Sequence, residues 1–179
     1  MANLTVNTQG THPHIYLTTQ VATGDLYDGT GSVAWVTAED ALNVTCLQDI
    51  TVNNSTGIFS WVDFCSEDMN KVTTPADNSI STNIVIDPEG FFGDPTATAG
   101  SAPLLGVNGI SSTKTLVQFV LVMNGALDAA GIAAADTRWY RGLGYLTSVA
   151  PTVSPDSPVW VSGMEIAVTG DFTVGLVTS

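Results

Sequence analysis

The chain has 179 residues, of which 17 are Asp or Glu and only 4 are Lys or Arg, giving a formal net charge of −13 although just 12% of residues are charged. That balance excludes a protein that grips nucleic acid, because tight binding to phosphates needs cations that displace counterions. An apolar content of 44% excludes a disordered acidic tail, and no apolar run reaches the roughly 18 residues a membrane helix needs.

The length fits a single domain over 1–179. Its N-terminus, Met1-Ala2-Asn3-Leu4-Thr5, has neither a basic nor an apolar leader region, so classical export is not expected. His12 and His14 flank Pro13 and would point the same way on an extended segment. Two such imidazoles can ligate a metal, but the sequence offers no third ligand nearby, and a solvated pair is the simpler reading. Residues 20–32, rich in Gly and Asp, read as a loop. Residues 42–52 then alternate: Leu42, Val44, Cys46, Ile50 and Val52 share one face, and Asn43, Thr45, Asp49 and Thr51 share the other. That predicts a strand with one dry and one wet side, its Cys46 a buried thiol. With Cys65 the only other cysteine, no disulfide scaffold is implied.

Trp61 to Lys71 reads as a short helix capped by Ser60, with Val62, Cys65 and Met69 as its inner stripe. Residues 79–87 predict a second one-sided strand with Ile80, Thr82, Ile84 and Ile86 inward. Residues 87–114 are dense in Gly and Pro and read as a long loop or arm. They carry Phe91, Phe92, Leu104 and Leu105, which either fold onto the domain's own core or are covered by a neighbouring subunit. Residues 115–123 are apolar on both faces and predict a central strand. Alanine-rich 126–135 predicts a helix, and 143–150 and 158–169 predict further strands, with Phe172 to Val177 a final strand or arm. Many strands, two short helices and no βαβ alternation give a mainly β fold: a β-sandwich or open barrel decorated by one or two short helices.

Chemistry-bearing motifs are scarce. There is no HExxH, Walker loop, GxSxG elbow or CxxC pair, so neither an enzyme nor a cofactor is expected. Asp87-Pro-Glu-Gly-Phe-Phe-Gly-Asp94 offers hard oxygens to calcium, and turn chemistry explains it equally well. Arg138-Trp139-Tyr140-Arg141 is the one basic cluster; its arginines are expected to stack on aromatics or pair with carboxylates of this or an adjacent subunit.

From Tyr140 to Phe172 the chain resembles the end of a tail tube protein of a long-tailed bacteriophage. The resemblance rests on a strand bearing Gly142 to Ser148, a Pro/Asp turn at 151–158, and a long last strand reaching Thr169-Gly170. It implies homohexameric rings stacked into a hollow tube, with each subunit lending four strands to an inner β-barrel. It also implies tape-measure, terminator and distal tail proteins as partners, a place in the virion after synthesis in the host cytoplasm, and DNA passing through without specific binding or any membrane. A negative lumen suits that task, because it repels the DNA backbone. On this reading Asp49, Asp87, Glu165 and Asp171 are lumen-lining candidates, and Phe91, Phe92, Leu104, Leu105, Arg138 and Arg141 are inter-subunit candidates. The alternatives are an extracellular β-sandwich binding module using Trp35, Trp61, Trp139 or Trp160 as stacking platforms, or another virion component such as a head-decoration or tail-terminator protein.

Overall fold

The computed structural model describes residues 12–19, 41–44, 46–62, 69–123, 137–154 and 159–176. Strands dominate, in the order β1 (His14–Thr18), β2 (Leu42–Val44), β3 (Leu47–Asn53), β4 (Thr56–Val62), β5 (Met69–Ala76) and β6 (Ser79–Val85). Two helices follow, α1 (Pro88–Phe92) and α2 (Ala102–Thr113), and then β7 (Leu116–Val122), β8 (Arg138–Thr152) and β9 (Val161–Leu176).

Among the described residues, seven strands form one antiparallel sheet in the order β2-β1-β7-β8-β9-β6-β3, and β4 and β5 pair only with each other. The two ends of the seven-stranded sheet are consecutive in sequence, separated by Thr45 and Cys46 alone. A sheet whose opposite edges are joined by two residues must curl to bring them towards each other, so the architecture is an open barrel, and among the described residues β2 and β3 do not pair. The Val85 N–H donates to the Cys46 carbonyl at 3.1 Å, which extends the β3–β6 ladder one step beyond Leu47↔Ile84. Cys46 itself is left-handed (φ 59°) and exposed. It is thus the corner between β2 and β3 and not a buried position in one continuous strand. The alternation recovers beyond it, with Leu47, Ile50 and Val52 packed against the core after a register shift between Leu47 and Asp49.

The core is what the period-two pattern dictates. Ile15 and Leu17 of β1, Val117, Phe119 and Leu121 of β7, Ile80 and Ile84 of β6, and Met164 and Ile166 of β9 meet inside the curl. β7 is buried on both faces from Val117 to Val122, as an apolar run flanked by β1 and β8 requires. β8 and β9 are longer than their apolar cores suggest, because they pair with each other from Arg138↔Leu176 to Thr152↔Val161. The C-terminal segment to Leu176 is the end of β9 and not a separate arm.

Within 87–114, where a long loop was expected, residues 88–92 and 102–113 are helical and 93–101 connect them. Asp87 caps α1 by accepting from the Gly90 N–H at 3.0 Å, with Pro88 opening the helix. Ser101 caps α2 in the same way, accepting from the Leu104 N–H at 3.4 Å. Gly106, in a left-handed conformation (φ 63°), kinks α2. The glycines and prolines that argued against a helix are therefore its caps and its kink. The helices lie over the inner face of the sheet, and Phe91, Val107 and Ile110 join the core.

The helix expected over Trp61 to Lys71 is not formed at either end, since β4 runs to Val62 and β5 begins at Met69. Alternating Ile58, Ser60 and Val62 against Phe59 and Trp61 satisfies a strand, and that local period wins over a helical one. Loop 20–32, the helix expected at 126–135 and Cys65 lie outside the described residues.

Candidate functional site

Four neighbouring strands, β3-β6-β9-β8, form a wall whose two faces separate row by row. Following the pairing across the wall, Val52–Ile80–Ile166–Leu146 and Ile50–Thr82–Met164–Val149 point into the core. Between them come Asn53–Ser79–Ala167–Tyr145, Thr51–Ser81–Glu165–Ser148 and Asp49–Asn83–Gly163–Ala150, which point out. Those outward rows hold hydroxyls, amides, small residues, one tyrosine and two carboxylates. None of the chain's four cations, Lys71, Lys114, Arg138 and Arg141, falls in the segments that form the rows.

Asp49 and Glu165, both lumen candidates, are thus brought to one face, diagonally across β6 and around a shallow depression that Thr51, Ser81, Asn83 and Ser148 also line. Asp49 is locked in place. It accepts from the Asn83 backbone N–H at 2.9 Å and from the Asn83 side-chain amide at 2.8 Å, and the buried Thr82 hydroxyl donates to its carbonyl. Asp87 is placed elsewhere, at the start of α1, where its carboxylate caps the helix. Asp171 follows Gly170 (φ 87°) at a register shift in β9, and its side chain lies outside the described residues. Asp94 holds a turn, accepting from the Thr96 hydroxyl at 2.7 Å and the Thr96 N–H at 2.8 Å. The carboxylates at both ends of the suspected calcium run thus do turn chemistry.

The inter-subunit candidates separate by burial. Phe91 is 2% exposed and belongs to the subunit's own core, whereas its neighbour Phe92 is 56% exposed and meets it edge-on. Leu104 and Leu105 are half-buried on α2, and Leu105 packs against the core. Arg138 is exposed at the start of β8. Arg141 is buried, with its guanidinium 5.8 Å from the centroid of the Trp139 ring, and burial lowers its pKa from the ordinary value.

Two apolar features were not singled out from sequence. The β4–β5 hairpin exposes Ile58, Phe59 and Val72. A groove between α1 and the start of β9 is lined by Val85, Ile86, Pro88, Phe92, Val159 and Trp160. Alternation in 56–62 was the available signal for the hairpin; Trp160 stood out only as a ring suited to stacking. Among the described residues no three His, Cys, Asp or Glu side chains converge as a metal site.

An antiparallel open barrel with two helices over its inner face and one wall whose outward rows are polar and hold no cation defines a structural class and not a chemistry. No protein-family model matches the sequence. No curated protein matches it either. Among solved structures, the fold is similar to a chain in the tail of an empty gene transfer agent particle refined with C6 symmetry. That match has a TM-score of 0.51 and 11% identity over 75% of this chain and 86% of that one. A chain in the virion of a native gene transfer agent particle matches at a TM-score of 0.50 and 11% identity, covering 75% and 88%. A chain in the six-fold symmetrised baseplate of an anti-feeding prophage matches along the full length of both chains, at a TM-score of 0.50 and 6% identity. The shared property is the fold.

Proposed function

We propose that this chain is a structural virion tail protein that assembles as homohexameric rings, stacked into a hollow tube through which DNA passes. The observation that carries this is the β3-β6-β9-β8 wall. Among the described residues its two outer strands are open where it matters: β3 pairs only with β6, and β8 beyond Tyr145 pairs only with β9. Every contact inside the wall is antiparallel, and four strands are an even number, so β3 and β8 run in opposite directions. β8 of one subunit can therefore continue the ladder onto β3 of the next without breaking the alternation. A ring of copies would satisfy both edges, which otherwise present a template for aggregation.

The same ring would turn the outward rows toward a common axis. Hydroxyls and amides keep that surface wet, and Asp49 and Glu165 repel a polyanion without offering it a cation to rest on. Support for six-fold rings comes from the C6 and six-fold symmetry of the particles whose chains share this fold. Tape-measure, terminator and distal tail proteins are the partners this role requires, and it needs neither enzyme activity nor a cofactor. The β4–β5 hairpin is our candidate for the contact between rings, since among the described residues it pairs with no other strand and exposes Ile58 and Val72.

Negative-stain microscopy of the purified protein at low and high salt tests this. Hollow rings or tubes are expected, and more of them at high salt, because screening relieves repulsion between subunits of like charge. Dispersed monomers throughout a salt and concentration series, combined with binding in a glycan screen, would favour a β-sandwich binding module instead.

A further inference from the structure

Among the described residues, the strand edges that stay open are all interrupted. β2 is three residues long and pairs with β1 alone. β3 has a register shift between Leu47 and Asp49, and the β4–β5 hairpin has one between Thr56 and Ile58. β9 passes through left-handed Gly170 just where its pairing with β6 has ended. Short edges, bulges and prolines are the devices that stop a free edge from adding a foreign strand.

The strongest such device lies on β8, in the stretch beyond Tyr145 that is open toward a neighbour. Pro151 stands opposite Ser162 in a β8–β9 ladder that runs without a shift from Ser148↔Glu165 to Thr152↔Val161. A proline has no N–H to give, so it fits such a ladder only where the main-chain groups turn away from the partner strand. The nitrogen and carbonyl of Pro151 therefore face the free edge. Two residues back, the main chain of Val149 turns the same way, while Ser148, Ala150 and Thr152 address β9. From Ser148 to Thr152, where β8 ends, the free edge thus presents two carbonyls and a single N–H, that of Val149.

We infer that Pro151 is a brake on assembly, which withholds one of the two N–H groups this stretch of β8 could give to β3 of a second copy. One edge contact is then too weak to hold two subunits together. A closed ring, in which every copy is held at both edges, is the species that persists. The occupant is a second copy because β3 and β8 run in opposite directions and their outward rows share one parity; in this the inference rests on the ring reading. A ring has one more contact than an open chain of as many copies, and that last contact forms within one assembly at high effective concentration. Weak contacts therefore favour rings over fragments, and a copy added out of register can leave again.

Full-length wild type, Pro151→Thr and Pro151→Val are compared by sedimentation velocity over a concentration series, with negative-stain microscopy of each. Both replacements restore the N–H and suit an exposed strand. Pro151→Ala takes their place if either lowers the melting temperature of the monomer. The wild type is expected as monomers and closed rings with little between. The variants are expected to associate at about two- to tenfold lower concentration, the worth of one added hydrogen bond, and to populate dimers and short open chains. Thr and Val should act alike, since the effect follows the N–H and not the side chain. Wild-type rings, with the same species at the same concentrations in every variant, would overturn the inference and leave the ring reading standing. Open oligomers of the variants from a protein whose wild type never closes rings would do the reverse. No association by any form would overturn both.

Discussion

Asp49 and Asn83 face each other across the β3–β6 ladder and are joined twice, backbone N–H to carboxylate at 2.9 Å and side-chain amide to carboxylate at 2.8 Å. The pair holds an exposed acid still at the open edge of the wall. Replacing Asn83 by Ala removes the amide arm and leaves the backbone one. A loss of about 0.5–1.5 kcal/mol in urea unfolding is expected. The charge-removing variant Asp49→Asn with Glu165→Gln should, by contrast, associate at lower salt than the wild type, as read by light scattering.

The junction of the two helices depends on absent side chains. A Cβ on Gly106 would lie 2.4 Å from the Gly93 nitrogen, and Gly106 is already left-handed at φ 63°. Gly106→Ala therefore combines a steric clash against backbone with an unfavourable dihedral, and should cost about 2–4 kcal/mol. Gly100 is also left-handed (φ 82°) but has nothing within 4 Å of its virtual Cβ. Gly100→Ala should cost only about 1–2 kcal/mol, from the dihedral alone. Thermal unfolding of the two variants separates clash from strain.

Phe91 and Phe92 are adjacent and should behave as opposites. Phe91→Ala opens a cavity in the core and is expected to lose about 3–5 kcal/mol of stability. Phe92→Ala should change the monomer's stability by less than about 0.5 kcal/mol and weaken association. Denaturant titration together with sedimentation velocity checks both. Deleting 90–110 would remove Phe91, Val107 and Ile110 from the core, so such a chain is expected not to fold.

Asp94 gives a pH test. The Thr96 hydroxyl and then the Thr96 N–H hold its carboxyl below the ordinary value. Because the folded pKa is the lower one, the turn's contribution is present above the unfolded carboxyl range and is lost as pH falls through the folded pKa. Thr96→Val deletes the larger of the two causes. It should raise the Asp94 pKa toward its ordinary value in an NMR titration, and any small loss of stability should appear at neutral pH and vanish below the folded pKa.

Strands with a clean alternation were legible. In 79–85 the sequence alone places Ile80, Thr82 and Ile84 inside, and the apolar run 116–122 is the central strand it suggests. The outward placement of Asp49 and Glu165 follows from the same parity. What escaped was anything decided by distant chain. Cys46 continues an apolar rhythm locally, but the chain turns a corner there, left-handed, between β2 and β3 at opposite ends of the sheet. The prolines and glycines of 87–114 carry loop statistics, yet Pro88 and Pro103 sit in first turns and Gly93 and Gly106 permit a close crossing. The hairpin at 56–76 was obscured by the helical spacing of Val62, Cys65 and Met69, which a local reading weighs equally.

The pairing of β1 with β7 sets a timetable for synthesis. His14–Thr18 is made about a hundred residues before its partner Gln118–Val122. Contacts of such wide sequence separation form slowly, so the nascent chain cannot complete its barrel until most of it has been translated. The β3-β6-β9-β8 wall is delayed further, because β8 and β9 follow β3 and β6 by more than fifty residues. A nascent chain therefore lacks the finished outward face of that wall until β9 has been made.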